Sequence, residues 1–178
     1  MKKKSDNTWQ DIASDWLYSI IIAVVLAFCI RTFIVEPYMV SGPSMLPTLE
    51  NGERLLVNKF VYFVSEPKRD EIVIFKYPMD ESRDFIKRVI AVGGDTVEIR
   101  DGQVYVNGVL KKEPYIKEPN HSTYRKSVVP KDHIFVLGDN RNNSEDSRYS
   151  DVGFVPLKLV KGKASVIFWP FEKGRTLP

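Results

Sequence analysis

Cysteine and histidine are scarce in this chain of 178 residues. The one cysteine, Cys29, lies in an apolar run, so an intramolecular disulfide is impossible and the fold must rest on its core. The two histidines, His121 and His133, stand apart, and no second ligand follows either of them at metal-site spacing. We therefore expect no metal site and no other cofactor.

The chain also lacks a large excess of positive or negative charge. The net charge is +3, and the lysines are scattered among acidic residues apart from a run at Lys2 to Lys4. No basic stripe with interleaved aromatic residues is present, so nucleic acid is not an expected partner. Hydrophobic content of 43% and charged content of 28% are typical of a globular protein rather than a disordered one.

A long apolar run extends from Trp16 to Val35 and contains a single charge, Arg31. Twenty helical residues span about 30 Å, which is the thickness of the hydrocarbon core of a bilayer. Trp16 and Tyr18 suit the headgroup region at one end, and Arg31 can reach the interface at the other. A buried helix of a soluble domain is the alternative, although the run lacks a polar face. We predict a transmembrane helix.

The polar residues before this run favour a retained anchor over a removable signal peptide. They are numerous and include acids, and no small-x-small cleavage site directly follows the run. The lysines at the start predict a cytoplasmic N-terminus. We therefore divide the chain into a cytoplasmic segment (1–15), a transmembrane signal-anchor helix (16–35) and an extracytoplasmic β-rich domain (36–178).

Short apolar segments alternate with turn signals throughout the third part of the chain. Strands are predicted over residues 54–64, 71–75, 85–92, 96–100, 103–106, 133–137 and 163–169. Asp101-Gly102 and Asn107-Gly108 are typical of hairpin turns. Residues 77–84 are interpreted as a polar loop, and residues 111–131, with three prolines, as an excursion over the surface. The prediction is a mainly β domain.

Ser44 lies in a conformationally restricted stretch soon after the apolar run. Pro43 and Pro47 flank it, and each proline ring fixes its own φ and biases the preceding residue. Such preorganisation suits a nucleophile, although an ordinary surface turn has the same pattern. Its position close to the predicted span makes Ser44 the candidate nucleophile.

A serine nucleophile needs a base, and the histidines have no obvious acidic partner in the sequence. His121 lies in the proline-bounded excursion and His133 opens a strand, so a Ser-His-Asp triad stays an open alternative. A lysine can serve if its pKa falls from about 10.4 toward 7 or 8. Burial against apolar surface can produce a shift of that size.

Lys87 has the most apolar surroundings of the lysines. Strand alternation places it on one face with Phe85, Val89 and Ala91, and that face is apolar apart from the amine. An edge-strand lysine, or one whose amine reaches water, has the same pattern. Lys76 is the nearest competitor, but the Tyr-Pro pair that follows it suggests exposure. Lys87 is therefore the candidate base.

A third stretch, residues 138–148, is dense in short polar side chains that typically cap and cross-link loops. Together, three stretches in this order resemble the motifs of the type I signal peptidase family. Residues 44–49 resemble its nucleophile motif, residues 87–95 its general-base motif and residues 138–148 its third motif, which residues 153–156 continue. The short chain with one span is similar to the form found in Gram-positive bacteria of the Bacillus type.

The resemblance implies a signal-peptidase-like β fold, also shared with self-cleaving repressors, and a Ser/Lys endopeptidase that removes signal peptides from secretory precursors. Ser44 would attack the scissile carbonyl, and neutral Lys87 would take its proton. Ser144 would hold the Lys87 amine by a hydrogen bond. Asp146 and Arg148 would pair to support the site. The expected partners are such precursors and membrane lipid.

Two further expectations come from the resemblance. Asp139 would be an additional structural acid. Some members carry a serine that helps to bind the oxyanion at the position of Gly42, and Pro43 has no N–H. The oxyanion would therefore be bound by the Ser44 N–H and a second donor, for which Ser41 is a candidate.

Two alternatives remain. Self-cleaving repressors share the dyad, but they are soluble and carry a DNA-binding module. A membrane-anchored, non-enzymatic β domain that binds a cell-envelope partner would tolerate the loss of both Ser44 and Lys87.

Overall fold

An apolar helix precedes a mainly β domain in the computed structural model, which describes residues 9–178. Helix α1 (Trp9–Cys29) continues through a π-helical turn at Ile30–Ile34, and strand β1 begins at the next residue. Residues Ile12–Ile34 are long and apolar enough to cross a membrane, and none of their apolar window is buried against the protein. The lysines on which the predicted orientation rests lie outside the described residues.

The strands of the described region form two antiparallel sheets. The large sheet has the order β1-β2-β11-β3-β4-β9-β10, with β12 paired to β11. Its strands are β1 (Val35–Met39), β2 (Arg54–Asn58), β3 (Ile72–Tyr77), β4 (Asp80–Val92), β9 (His133–Leu137), β10 (Val155–Pro156), β11 (Val160–Trp169) and β12 (Arg175–Thr176).

The small sheet has the order β7-β6-β5-β8. Its strands are β5 (Thr96–Arg100), β6 (Gln103–Val106), β7 (Val109–Leu110) and β8 (Tyr124–Val128). Both predicted hairpin turns are present: Asp101 and Asn107 have positive φ angles of 50° and 54°, and a glycine with positive φ follows each. The mainly β fold after one apolar helix is confirmed.

Two segment predictions were wrong. The strand expected over residues 54–64 ends at Asn58, and the short helix α2 (Val61–Val64) follows it. The Asn58 side-chain oxygen accepts from the Val61 N–H at 3.1 Å, at the start of this helix. The polar loop expected over residues 77–84 is instead mostly strand, because β4 begins at Asp80 and pairs with β3. The expected surface excursion also contains β8.

Strand β4 carries a bulge that corrects the predicted face of Ala91. Opposite β9, Val89 pairs with Val136 while Ala91 pairs with the next residue along, so Ile90 is the extra residue. Val89 therefore packs in one apolar cluster and Ala91 in another. Lys87 shares its side of the strand with Phe85 and Val89, but not with Ala91.

Close backbone contact between β11 and β2 depends on Gly162. A Cβ added there would lie 2.6 Å from Val57 Cγ1 and 2.7 Å from the Asn58 carbonyl oxygen. We expect Gly162→Ala to lower the free energy of unfolding by about 1–3 kcal/mol through overpacking. Chemical denaturation measures the change. Gly174→Ala is the control, because its Cβ would come no closer than 3.2 Å to the Phe171 carbonyl oxygen. Equal effects of the two substitutions would contradict this account.

Candidate active site

Ser44 lies in the loop of residues 40–53, which connects β1 to β2. Backbone hydrogen bonds close its base, from Val40 N to the Glu53 carbonyl at 2.8 Å and from Gly52 N to the Val40 carbonyl at 2.9 Å. Met45 and Leu49 are buried in the core beneath the loop. The apolar anchors and the closed base hold the backbone of Ser44 in place.

Lys87 meets Ser44 where the interior strand β4 is not yet paired with β9. The Lys87 Nζ lies 3.0 Å from Ser44 Oγ and donates to the Ile86 carbonyl at 3.1 Å. Only 4% of the lysine is exposed, and the Phe85 ring centre lies 5.0 Å from the amine. Burial lowers the pKa of Lys87 to about 8, against the opposing charges of Asp146 and Glu145. The amine can therefore be neutral near physiological pH and accept a proton from the hydroxyl.

A groove of about 630 Å³ opens beside this pair. Residues 38–44 line one wall and residues 83–87 the other. On β4, the backbone pairs with β3 at Asp80 and again from Asp84 onward, while pairing with β9 on the other side begins only at Arg88. Within the described residues, this half of β4 presents a free strand edge to the groove.

The Ser44 N–H is available as a donor. It donates to no acceptor within residues 9–178. Ser41 lines the same groove. Their roles toward an oxyanion stay predictions.

Asp146 lies in the third-motif loop (residues 138–148), near Lys87. This carboxylate is 0% exposed and binds the Arg148 guanidinium at 2.7 Å and 2.8 Å. It also accepts from the Gly138 N–H at 3.0 Å. The predicted Asp146–Arg148 pair is therefore formed.

Asp139 joins all three motif stretches. Arg88 donates to its two carboxylate oxygens at 2.8 Å and 2.6 Å, and the Thr48 hydroxyl donates to it at 2.5 Å. Arg88 follows the candidate base and Thr48 belongs to the nucleophile loop. The predicted structural acid thus connects the two catalytic stretches.

The expected hydrogen bond between Ser144 and the Lys87 amine is not formed. The Ser144 Oγ is buried and has no hydrogen-bond partner among the described residues. It packs against Gly138 instead, where a Cβ would lie 2.2 Å from it. The Lys87 amine binds Ser44 and the Ile86 carbonyl. A role of Ser144 in orienting the base stays a prediction.

The histidines take no part in the groove. His133 Nδ1 contacts the Lys131 carbonyl at 2.8 Å, and His121 is exposed. Neither lines the groove beside Ser44. The geometry therefore gives no support to the triad alternative. Among the described residues, no group of three His, Cys, Asp or Glu side chains is arranged to hold a metal ion.

Comparison with known families accounts for this arrangement. The family described as signal peptidase, peptidase S26, matches residues 13–169. The chain belongs to this family. It is 40% identical to signal peptidase I P of Bacillus subtilis subsp. natto over 171 residues, which cover 90% of this chain and 91% of the relative. It is 43% identical to the probable signal peptidase I-2 of Synechocystis sp., covering 97% of this chain and 79% of that protein.

A solved structure of a signal peptidase I from Enterococcus faecalis V583 is similar as well. The TM-score is 0.50 at 33% sequence identity, covering 57% of this chain and 99% of that chain. The predicted family and the peptidase class are confirmed. The non-enzymatic alternative does not fit a signal peptidase of this family.

Sequence reasoning missed several residues that support this signal peptidase site. Arg175 donates to the Thr48 carbonyl at 2.7 Å and forms an ion pair with the buried Glu53 carboxylate at 2.8 Å. Glu113, in the segment interpreted as a surface excursion, pairs with the buried Arg141. Arg88 follows Lys87 in a strand that is buried on both faces, so the sequence could have indicated that Arg88 is buried and needs a counter-charge. Neither Arg175 nor Glu113 has such a signal, because both lie outside the predicted strands.

Gly138 permits the close approach of the third-motif loop to the nucleophile. A Cβ at this position would lie 2.5 Å from the Ser44 carbonyl oxygen, in addition to its clash with Ser144. We expect Gly138→Ala to lower kcat/KM about 100-fold, because displacements near 1 Å cost that much at a catalytic centre. Precursor cleavage is measured, and Gly174→Ala serves as control. Parental activity of Gly138→Ala would contradict the close packing described here.

Proposed function

We propose that this chain is a membrane-anchored Ser/Lys endopeptidase that removes signal peptides from secretory precursors on the outer side of the cytoplasmic membrane. The observation that carries the proposal is the 3.0 Å contact between Lys87 Nζ and Ser44 Oγ. A buried amine with a lowered pKa, in reach of a hydroxyl and beside an open groove, is the geometry that activates a serine.

The reaction begins when the scissile carbonyl carbon lies next to Ser44 Oγ. The hydroxyl proton moves to neutral Lys87 as the new C–O bond forms, and the carbonyl oxygen becomes an oxyanion bound by the Ser44 N–H. The Lys87 ammonium then gives its proton to the leaving amine, and an acyl-enzyme remains. A water molecule, deprotonated by the same lysine, hydrolyses this ester and restores both groups.

The free edge of β4 supports the proposal that the substrate is an extended peptide. An extended peptide can add to residues 84–87 as a strand, so that backbone hydrogen bonds align it next to Ser44 without selecting a sequence. Apolar side chains of Leu55, Ile74 and Ile86 line the groove. Shallow apolar pockets there would accept the small side chains that the family prefers before the cut.

The apolar helix supports location at the membrane. Residues Ile12–Ile34 fit the span, and β1 follows at once, so the groove stays near the lipid surface. We assign residues 1–15 to the cytoplasm, residues 16–35 to the membrane and residues 36–178 to the catalytic domain. The positive residues at the N-terminus support this orientation.

Loss of either dyad side chain should abolish cleavage. We expect Ser44→Ala and Lys87→Ala each to reduce kcat/KM by at least about 10³, since nucleophile and base act as one unit. The detergent-solubilised full chain is incubated with a secretory precursor, and products are identified by mass spectrometry. Lys76→Ala is the matched control, because Lys76 is half-buried, pairs with Glu81 and does not line the groove. Full processing by the Lys87→Ala variant would reject the proposed base.

Cleavage should increase with pH through the titration of Lys87. Only the neutral amine accepts the Ser44 proton, and burial sets its pKa to about 8. We expect kcat/KM to rise about tenfold per pH unit below pH 8 and to level off above it. Because the Glu145 carboxylate raises this pKa, Glu145→Gln should move the midpoint to lower pH. A flat profile between about pH 6 and 9 would argue against a titrating amine.

A further inference from the structure

Residues 113–122, which we call the strap, extend from the small sheet and contact the third-motif loop. The strap lies between β7 and β8 and belongs to none of the three motif stretches. Its side chains contact the three arginines that surround the site. These arginines are Arg88, Arg141 and Arg148.

Glu113 makes the strongest of these contacts. Its two carboxylate oxygens accept from the Arg141 guanidinium at 2.8 Å and 2.7 Å, in a bidentate pair. The Arg141 side chain is fully buried, and its Nε donates to the Gly138 carbonyl at 3.1 Å. A buried guanidinium requires a fixed counter-charge. Glu113 therefore determines where Arg141 holds the third-motif loop.

The same loop holds the backbone of the nucleophile. The Asn140 N–H donates to the Ser44 carbonyl at 3.0 Å, and its side-chain amide donates to the Pro43 carbonyl at 3.2 Å. Asn140 directly precedes Arg141. A short run of contacts therefore connects Glu113 to Ser44, and a shift of Arg141 moves the nucleophile.

Tyr115 connects the strap to the base strand. Its ring centre lies 3.9 Å from the Arg88 guanidinium carbon, and its hydroxyl donates to Glu113 at 2.8 Å. Arg88 follows Lys87 in β4 and holds Asp139. The Tyr115 ring thus holds Arg88, and its hydroxyl holds the Glu113 carboxylate that binds Arg141.

The other end of the strap is fixed as well. Ser122 accepts from Arg148 at 3.0 Å, and the Asn142 side chain donates to the Pro119 carbonyl at 2.9 Å. The Asn120 carbonyl packs against the hairpin turn at Gly102, where a Cβ would lie 2.0 Å from its oxygen. The β5–β6 hairpin therefore supports the strap.

We propose that the strap is a positioning element of the active site, and that Glu113 and Tyr115 are positioning residues acting through Arg141 and Arg88. The proposal rests on the function assigned to Ser44 and Lys87 above. It gives the small sheet a role in cleavage: the sheet supports a segment that sets the separation of nucleophile and base without touching the substrate.

The first test is Glu113→Gln in the full chain, which removes the charge and keeps the shape. We expect kcat to fall about 10- to 100-fold and KM to stay within about twofold, because the strap does not line the groove. Glu118→Gln is the matched control, a substitution of an exposed carboxylate on the same segment with no ion pair in the described structure. It should retain parental kcat.

A double-variant cycle separates positioning from general damage. If Glu113 acts through Arg141, then Glu113→Gln combined with Arg141→Met should lose no more kcat than Arg141→Met alone. Tyr115→Phe keeps the ring over Arg88 and removes only the hydroxyl that binds Glu113, so it should lose less kcat than Tyr115→Leu, which removes both contacts and should lose about tenfold. The folded fraction of every variant is measured by circular dichroism, and kcat is expressed per folded molecule.

Three outcomes would overturn the strap proposal: parental kcat for Glu113→Gln, losses that vanish when expressed per folded molecule, or additive losses in the cycle. An active Ser44→Ala variant would overturn the proposed function itself. If the Ser44→Ala and Lys87→Ala variants are each inactive and the Glu113→Gln variant is fully active, the strap proposal is rejected. The proposed function then remains in place.

Discussion

The site depends on keeping one amine out of water. A lysine in solution is charged at neutral pH, and only desolvation makes its neutral form common enough to accept a proton. Lys87 is desolvated because it lies in a central strand, between the Phe85 ring and the Ser44 loop. The neighbouring carboxylates of Asp146 and Glu145 oppose this effect, but burial has the larger influence on the pKa of Lys87. Asp146 is also held in an ion pair with Arg148.

Three buried ion pairs hold the loops near the Lys87 amine. Each pair buries one arginine beside a carboxylate. The pairs are Arg88 with Asp139, Arg141 with Glu113, and Arg148 with Asp146. Each pair connects segments that are distant in sequence or shapes a loop that has little regular structure. Burying ions is costly unless their geometry is nearly complete, so the loops are restricted to the conformation that satisfies every partner. This restriction supports a fixed separation between Ser44 and Lys87.

The sequence was sufficient for the parts of this structure that depend on local pattern. The apolar helix, the hairpin turns at Asp101 and Asn107, and the strand that carries Lys87 follow from length, turn chemistry and alternation. The bulge at Ile90 and the helix α2 were missed, since each depends on tertiary pairing. The contacts of Glu113, Tyr115 and Arg175 were also missed, because charged and polar residues in loops have no periodicity from which burial can be read. The missing Ser144 hydrogen bond shows that a motif specifies residue types more reliably than contacts.

The direct junction between the apolar helix and β1 has a consequence for reach. No linker separates Ile34 from Val35, and the Lys59 N–H donates to the Ile34 carbonyl at 2.9 Å, so the end of the helix is held both by β1 and by the residue that follows β2. Strand β1 has five residues and spans about 17 Å, and Ser44 follows its last residue by five positions, so the chain path from the apolar helix to Ser44 is short. In the proposed membrane-anchored enzyme, this short connection would limit how far Ser44 lies from the lipid. Cleavage would then be restricted to peptide bonds close to the membrane surface.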